Sequence, residues 1–235
     1  MVEITELYKS FGKNNVLNGI NLKISEGGIF AVLGPNGSGK TTIIKSILGM
    51  VIPTSGSIKV FDTDVNKNSD YRYKIDYLPQ IANFPSNLKV SELIKMIKDL
   101  RGATVEDKNL IEKFKLEPFL NKKLGTLSGG TKQKVNIVLT FMFNSPIIIL
   151  DEPTTGLDPI SLIRLKELIE IEKASGKTIL ITSHIMSFVE EVADKIVFIL
   201  EGKIYFKGSI AELKTKTNQK DFEHAIANIL TENHA

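Results

Sequence analysis

The stretch GPNGSGKTT, Gly34 to Thr42, constrains this chain more than any other. Gly34, Gly39, Lys40 and Thr41 fit the pattern G-x-x-x-x-G-K-[ST] at every fixed position. The pattern carries weight only where a strand leads into it and a helix leaves it. Ile29 to Leu33 is an apolar run of strand length, and Thr42 to Leu48 places Ile43, Ile44, Ile47 and Leu48 at helical spacing before Gly49. Glycines let backbone N–H groups turn toward an anion, and a helix N-terminus adds its positive dipole end. Lys40 then reaches the β- and γ-phosphates of a nucleotide, and the Thr41 hydroxyl suits Mg²⁺. The plain alternative is a glycine-rich turn between strand and helix, which has no use for the Lys-Thr pair.

The chain has 235 residues, 42% of them hydrophobic, enough for one sizeable core or a domain with a smaller lobe. Net charge is +3, from 30 basic and 27 acidic residues, so charge gives no case for nucleic acid. Without cysteine there is no disulfide and no Cys-based zinc site, and a reducing cytoplasm is permitted. The N-terminal MVEITELYKSFG has no apolar signal core, and no window of about 18 consecutive apolar residues occurs.

Strand patterns occupy the first part, with alternation from Ile20 to Ile24 and a short strand at Ser57–Phe61. From Ile81 to about Leu124 the pattern turns helical. Ser91 has the chemistry of an N-cap, with Leu93, Ile94, Ile97 and Leu100 on one face, and Val105–Leu116 forms a second helix. Strands return with Ile147–Leu150 and with KTILITSH, and KIVFILEGKIYFKG reads as a hairpin turning at Glu201-Gly202. A helix lies between the two buried strands, over LIRLKELIEIEKASG, and another follows at Met186–Ala193. Phe222, Ala225, Ile226, Ile229 and Leu230 mark a C-terminal packing helix.

Two further constellations carry chemistry. Asp151-Glu152 ends the Ile147–Leu150 run, where a carboxylate comes to lie beside the phosphate loop in such folds. Asp151 suits Mg²⁺, and Glu152 can orient or deprotonate an attacking water. Taken alone, two carboxylates at a strand end are simply solvated. Ser128-Gly129-Gly130 opens a second helix, TKQKVNIVLTFMF, and is an anion site by the same physics as the first. Two half-sites for one kind of ligand resolve into a shared site, in which the Ser-Gly-Gly of one copy covers the γ-phosphate held by another. An ordinary glycine turn before a helix is the bland alternative.

With these residues in place, the sequence resembles the nucleotide-binding subunits of ABC transporters, over about Val2 to Gly208. GPNGSGKTT looks like their Walker A, LSGGT their signature motif and IIILDEP their Walker B. Gln80 matches the Q-loop glutamine, Thr155–Asp158 the D-loop, His184 the switch histidine and Phe11 the aromatic that stacks on adenine. The resemblance implies an α/β fold, a P-loop NTPase core with a mixed sheet, an antiparallel β region and an inserted helical lobe. It implies one domain over 1–235: a nucleotide-binding core at 1–80 and 131–208, a helical lobe at 81–130, and a C-terminal helical extension at 209–235.

Residue by residue, it implies that ATP is held by Phe11, by Gly34, Pro35, Asn36, Gly37, Ser38, Gly39, Lys40, Thr41 and Thr42, and by Ser128, Gly129, Gly130 and Asp158. Glu152, His184, Gln80 and Lys40 would carry hydrolysis, and Thr41, Gln80 and Asp151 would hold Mg²⁺. The implied partners are a second copy, head to tail, and a transmembrane permease met through the helical lobe, with no nucleic acid. The implied place is cytoplasmic, peripheral on the inner face of the membrane.

Thr131 and Lys134 stand where the family often has Gln and Arg, and Phe11 lacks the phenol of the common Tyr. LSGGTKQK resembles ATPases paired with ABC-2-type membrane subunits, and more narrowly the Nos-type subunits of copper-site maturation. The expected function is therefore ATP hydrolysis powering an ABC-2-type exporter. A non-transport ABC ATPase acting on nucleic acid or the ribosome is the competing class. A small-molecule P-loop kinase would leave Ser-Gly-Gly unexplained.

Overall fold

The computed structural model describes residues 1–81, 83–102, 105 and 107–232, with the side chain of 232 left aside. In chain order the elements are β1 (Val2–Phe11), β2 (Asn14–Ile24), β3 (Gly28–Leu33), α1 (Lys40–Ile47), β4 (Ser55–Val60), β5 (Thr63–Asp64) and β6 (Ile75–Leu78). They continue with α2 (Val90–Arg101), α3 (Asp107–Lys113), α4 (Gly129–Phe141), β7 (Ile147–Asp151), α5 (Pro159–Ala174) and β8 (Thr178–Thr182). The last are α6 (Met186–Val192), β9 (Lys195–Leu200), β10 (Lys203–Gly208), α7 (Ile210–Thr217) and α8 (Phe222–Glu232). They fall into two compact units, Met1–Arg72 with Thr178–Ala235, and Tyr73–Lys177.

The first unit holds an antiparallel sheet in the order β2-β1-β4-β5. It also holds β3, paired in parallel with β8 on one side and with β9 on the other. The hairpin β9–β10 turns on Glu201 and Gly202, both at positive φ, as the Glu-Gly pair leads one to expect. β3 is buried along almost its whole length, as its unbroken apolar run requires. Helix α1 turns Ile43, Ile44 and Ile47 inward and packs on β2 and β4. At the C-terminus α8 buries Phe222, Ala225, Ile226 and Ile229 and packs on α6 and α7, a packing helix as the spacing predicts.

In the second unit β6 and β7 pair in parallel, with Tyr77 opposite Ile149 and Leu78 opposite Leu150. Every residue of β7 is buried. Helix α4 packs on β6, on α2 and on α3. The guanidinium of Arg101, at the end of α2, donates to buried Asp76 on β6 (2.9 Å), to the Tyr73 carbonyl (3.1 Å) and to Ser145 Oγ (2.9 Å). It also lies 4.4 Å from the Phe143 ring centroid.

Three local expectations need correction. Lys89, not Ser91, caps α2: Glu92 reaches back to the Lys89 N–H at 2.8 Å, which starts the helix two residues earlier. Leu100, expected on the apolar face, is 72% exposed, because the buried stripe of α2 is confined to Val90, Leu93 and Ile94. The second lobe helix ends at Lys113, with Lys115 at positive φ before Leu116. Glu106 of that expected segment lies outside the described residues, as do positions 82, 103, 104 and 233–235 of the expected lobe and extension.

Candidate functional site

In the first unit the phosphate loop closes on itself. Lys40 is 7% exposed, and its Nζ donates to the carbonyls of Gly34 (2.7 Å) and Pro35 (3.0 Å). Pro35, Asn36 and Gly37 are exposed, whereas Ser38 and Gly39 are buried beneath them. Ser38 Oγ is buried without a hydrogen-bond partner. Gly34 has φ 151°, and a Cβ there would stand 2.1 Å from the Ile199 carbonyl oxygen on β9, so only glycine lets the strand pass this close. Gly39, at φ 104°, is the N-cap of α1 and makes no side-chain cap. The positive dipole end of that helix favours an anion there. Lys40, Thr41 and Thr42 are its first three residues.

Phe11 ends β1 opposite Asn14, and its ring is half exposed beneath the Lys9 ammonium, 4.7 Å from the centroid. A flat face open to solvent is what stacking on a base needs. His184 is exposed just past β8, where fully buried Ser183 accepts the Ile185 N–H at 3.1 Å and fixes the turn that presents it.

In the second unit β7 ends on Asp151, 1% exposed, followed by Glu152, 4% exposed. Glu152 adopts φ 50°, a left-handed backbone that a non-glycine residue holds only where its surroundings impose it. Tyr77 stands in register with Ile149, so it shares a sheet face with Asp151 two residues on, and the Asp151 carboxylate lies near its phenol. Burial, with that carboxylate beside it, pushes the Tyr77 phenol above its ordinary range. Gln80 is exposed two residues past the end of β6. Adjacent strands thus deliver Gln80 and Asp151-Glu152 from neighbouring C-terminal ends.

Ser128 caps α4 as expected, its Oγ accepting the Thr131 N–H at 3.2 Å. Gly130 abuts the D-loop: a Cβ there would lie 2.6 Å from the Gly156 carbonyl oxygen, while a Cβ on Gly129 would meet nothing within 4 Å. Asp158 caps α5, accepting the Ser161 N–H and hydroxyl, both at 2.9 Å, and pairs with Lys134 of α4 at 2.7 Å. The Lys134 hydrogen bond, then that from the Ser161 N–H, holds the Asp158 carboxyl well below the usual carboxylate range.

The sequence reading missed four contributors: Tyr77, and Gln133, Asn136 and Thr140 on α4. The signal was present, because polar residues at i, i+3 and i+7 lie on one stripe of a helix that is otherwise apolar within. Among the described residues no group of three or more His, Asp and Glu is arranged to hold a metal, and no helix is long and apolar enough to cross a membrane.

A phosphate loop closed by its own lysine, and a buried Asp-Glu pair ending a parallel strand, define a P-loop ATPase. The ABC transporter family profile matches residues 17–155. A lantibiotic transport ATP-binding protein, SrtF of Streptococcus pyogenes, is 40% identical over 205 residues, covering 87% of this chain and 89% of its own. The structure of an ATP-binding subunit of an ABC transporter superposes with TM-score 0.92 at 27% identity, covering 98% of this chain and 99% of that one. A dimeric ATP-binding cassette bound to ADP and Pi, in a post-hydrolysis state, gives TM-score 0.80 at 26% identity, over 89% of this chain and 98% of that one. The chain belongs to the ABC transporter family: it is an ATP-binding subunit of the ABC-2-type exporter class and hydrolyses ATP to power transport.

Proposed function

We propose that this subunit works as a head-to-tail pair of copies bound to a transmembrane permease on the cytoplasmic face of the membrane, and that ATP binding closes the pair. Phe11 stacks on adenine, while Lys40 and the backbone of Gly34–Thr42 take the phosphates. Glu152 polarises the attacking water, and His184 steadies the charge that develops on the γ-phosphate. Gln80 reports that phosphate to the lobe over 81–130. Ser128, Gly129 and Gly130 close over the nucleotide of the other copy, with Asp158 beside them. The core at 1–80 and 131–208 and the extension at 209–235 complete a single domain.

The hydroxyl of Thr41, the amide of Gln80 and the carboxylate of Asp151 are each hard oxygen donors of the kind Mg²⁺ takes. A site with one protein carboxylate is the kind in which this ion keeps waters and phosphate oxygens as its other ligands. These three residues would hold it, and the charge it supplies offsets that of the phosphates. This chain's residues do the rest: they orient the water and hold the phosphates in line.

The observation that carries the paired reading is the start of α4. Ser128 and Gly129 are exposed, and the space beside Gly129 is open on its own chain. The dimeric cassette holding ADP and Pi supports the pairing, and the likeness to SrtF favours a peptide as cargo. Exposed apolar residues at Tyr73, Ile81, Met96 and Leu100 in the second unit support a docked membrane partner.

The deciding experiment uses Glu152→Gln with MgATP. Turnover is expected to fall at least about a hundredfold while ATP binding persists. The tagged variant, captured from gently extracted membranes, is expected to carry a polytopic membrane protein. Unchanged turnover would remove Glu152 from its role, and capture of ribosomes or DNA without a membrane protein would remove the transport partner.

A further inference from the structure

Helix α4 carries a polar stripe on its buried side. Gln133, Asn136 and Thr140 are 7%, 3% and 3% exposed, and at 100° per residue they span about 60° of arc. Gln133 and Asn136 each donate to a backbone carbonyl next to a site residue. Gln133 Nε2 reaches the Pro153 carbonyl at 3.0 Å and Asn136 Nδ2 the Pro79 carbonyl at 3.2 Å, while Thr140 Oγ1 donates to the Asn136 carbonyl of its own helix at 2.9 Å and lies 3.4 Å from the Tyr77 carbonyl.

The acceptors matter. The Pro79 carbonyl belongs to the planar peptide that carries the Gln80 N–H, so fixing it fixes the direction in which the chain enters Gln80. Pro153 follows Glu152 and has its own φ locked by its ring, so anchoring its carbonyl holds the turn that keeps Glu152 at positive φ. Tyr77, whose carbonyl lies 3.4 Å from the Thr140 hydroxyl, stands beside Asp151 on the same sheet face. The same helix begins at Ser128, about 12 Å along its axis from Asn136.

We propose that Gln133 and Asn136 are positioning residues that fasten the Ser-Gly-Gly end of α4 to the strand ends carrying Gln80 and Glu152. A ligand or second copy that engages Ser128–Gly130 shifts α4 as a rod, and the stripe carries that shift to the hydrolytic residues of the same chain. The inference rests on the roles proposed above for Gln80, Glu152 and Ser128.

The test uses the full chain. Asn136→Leu keeps the shape and removes the donor. It is expected to cut kcat about tenfold or more, since small misplacements of reacting groups are costly, while the Kd for a fluorescent ATP analogue stays within about twofold. Combined with Ser128→Ala, the double variant is expected to be about as slow as the worse single one, because both act along one path. Wild-type kcat in folded Asn136→Leu, or losses that multiply in the pair, would overturn the proposal.

Should Asn136→Leu fail to fold, Gln133→Met, which keeps the length and removes the other donor, decides. A slower Gln133→Met that stays folded at the assay temperature supports the stripe, and a wild-type rate refutes it. Glu152→Gln is assayed in parallel. Loss of turnover there with full rates in the stripe variants sinks this inference alone. Retained turnover in Glu152→Gln sinks the catalytic reading and the inference with it.

Discussion

Gly129 and Gly130 are chemically identical neighbours held to different standards. At Gly130 a methyl group would press on the Gly156 carbonyl oxygen at 2.6 Å, and backbone cannot swing aside as a side chain can. Gly130→Ala is therefore expected to separate the start of α4 from the D-loop and to lower turnover, with nucleotide binding to the isolated copy unchanged. At Gly129 the space is open, and alanine suits a helix better by about 1 kcal/mol. Gly129→Ala should hold or raise Tm in thermal melts, so any turnover it loses is lost to whatever meets that surface from outside. A fall in Tm for Gly129→Ala, or none of the expected loss for Gly130→Ala, would contradict this division. The pair was legible as a motif in the sequence. The difference between its members was not, because it depends on a carbonyl 26 positions away in the chain.

Helices α4 and α5 are tied through Asp158, which caps one and pairs with a lysine of the other. Because its folded pKa is depressed, the stability it contributes is full above the unfolded value of about 4 and declines as pH falls below it. Asp158→Asn keeps an N-cap but loses the ion pair. Its Tm deficit should be present at pH 7 and shrink as pH is lowered below about 4; a deficit independent of pH would exclude the charge as its source. The side chain is half exposed, so solvent screening keeps the pair at about 1 kcal/mol or less.

The anchor of α2 is a different case. Arg101→Ala leaves Asp76, 1% exposed at its side chain, without its cation. Breaking such a pair costs about 3 kcal/mol, readable as a shift in denaturation midpoint. Element positions were largely readable, since apolar periodicity alone places β7, β8 and α8. Helix starts were less so. Lys89 caps α2 by way of Glu92, and Ser91, the better cap by residue type, lies inside the first turn.

For the molecule as a whole, the expected event is ATP-dependent pairing of copies. Ser128→Ala in the Glu152→Gln background should weaken the ATP-induced dimer on size exclusion far more than it weakens nucleotide binding to the single copy. Each nucleotide loses one hydroxyl from the opposite subunit while its own phosphate loop is untouched. An intact dimer in that double variant would count against the shared site.

The amino-acid sequence by itself determined the strand–loop–helix around Lys40, the acidic end of β7 and the capped start of α4. These follow from backbone sterics, periodicity and the few residue types that can turn a chain or cap a helix, all of which act over a handful of neighbours. The tertiary structure alone decided that Glu152 stands at positive φ, that Tyr77 stands beside Asp151, and that Asn136 meets the carbonyl before Gln80. Those pairings join residues as many as 74 positions apart. They are set by which buried donors and carbonyls packing leaves facing one another, and no local pattern encodes that.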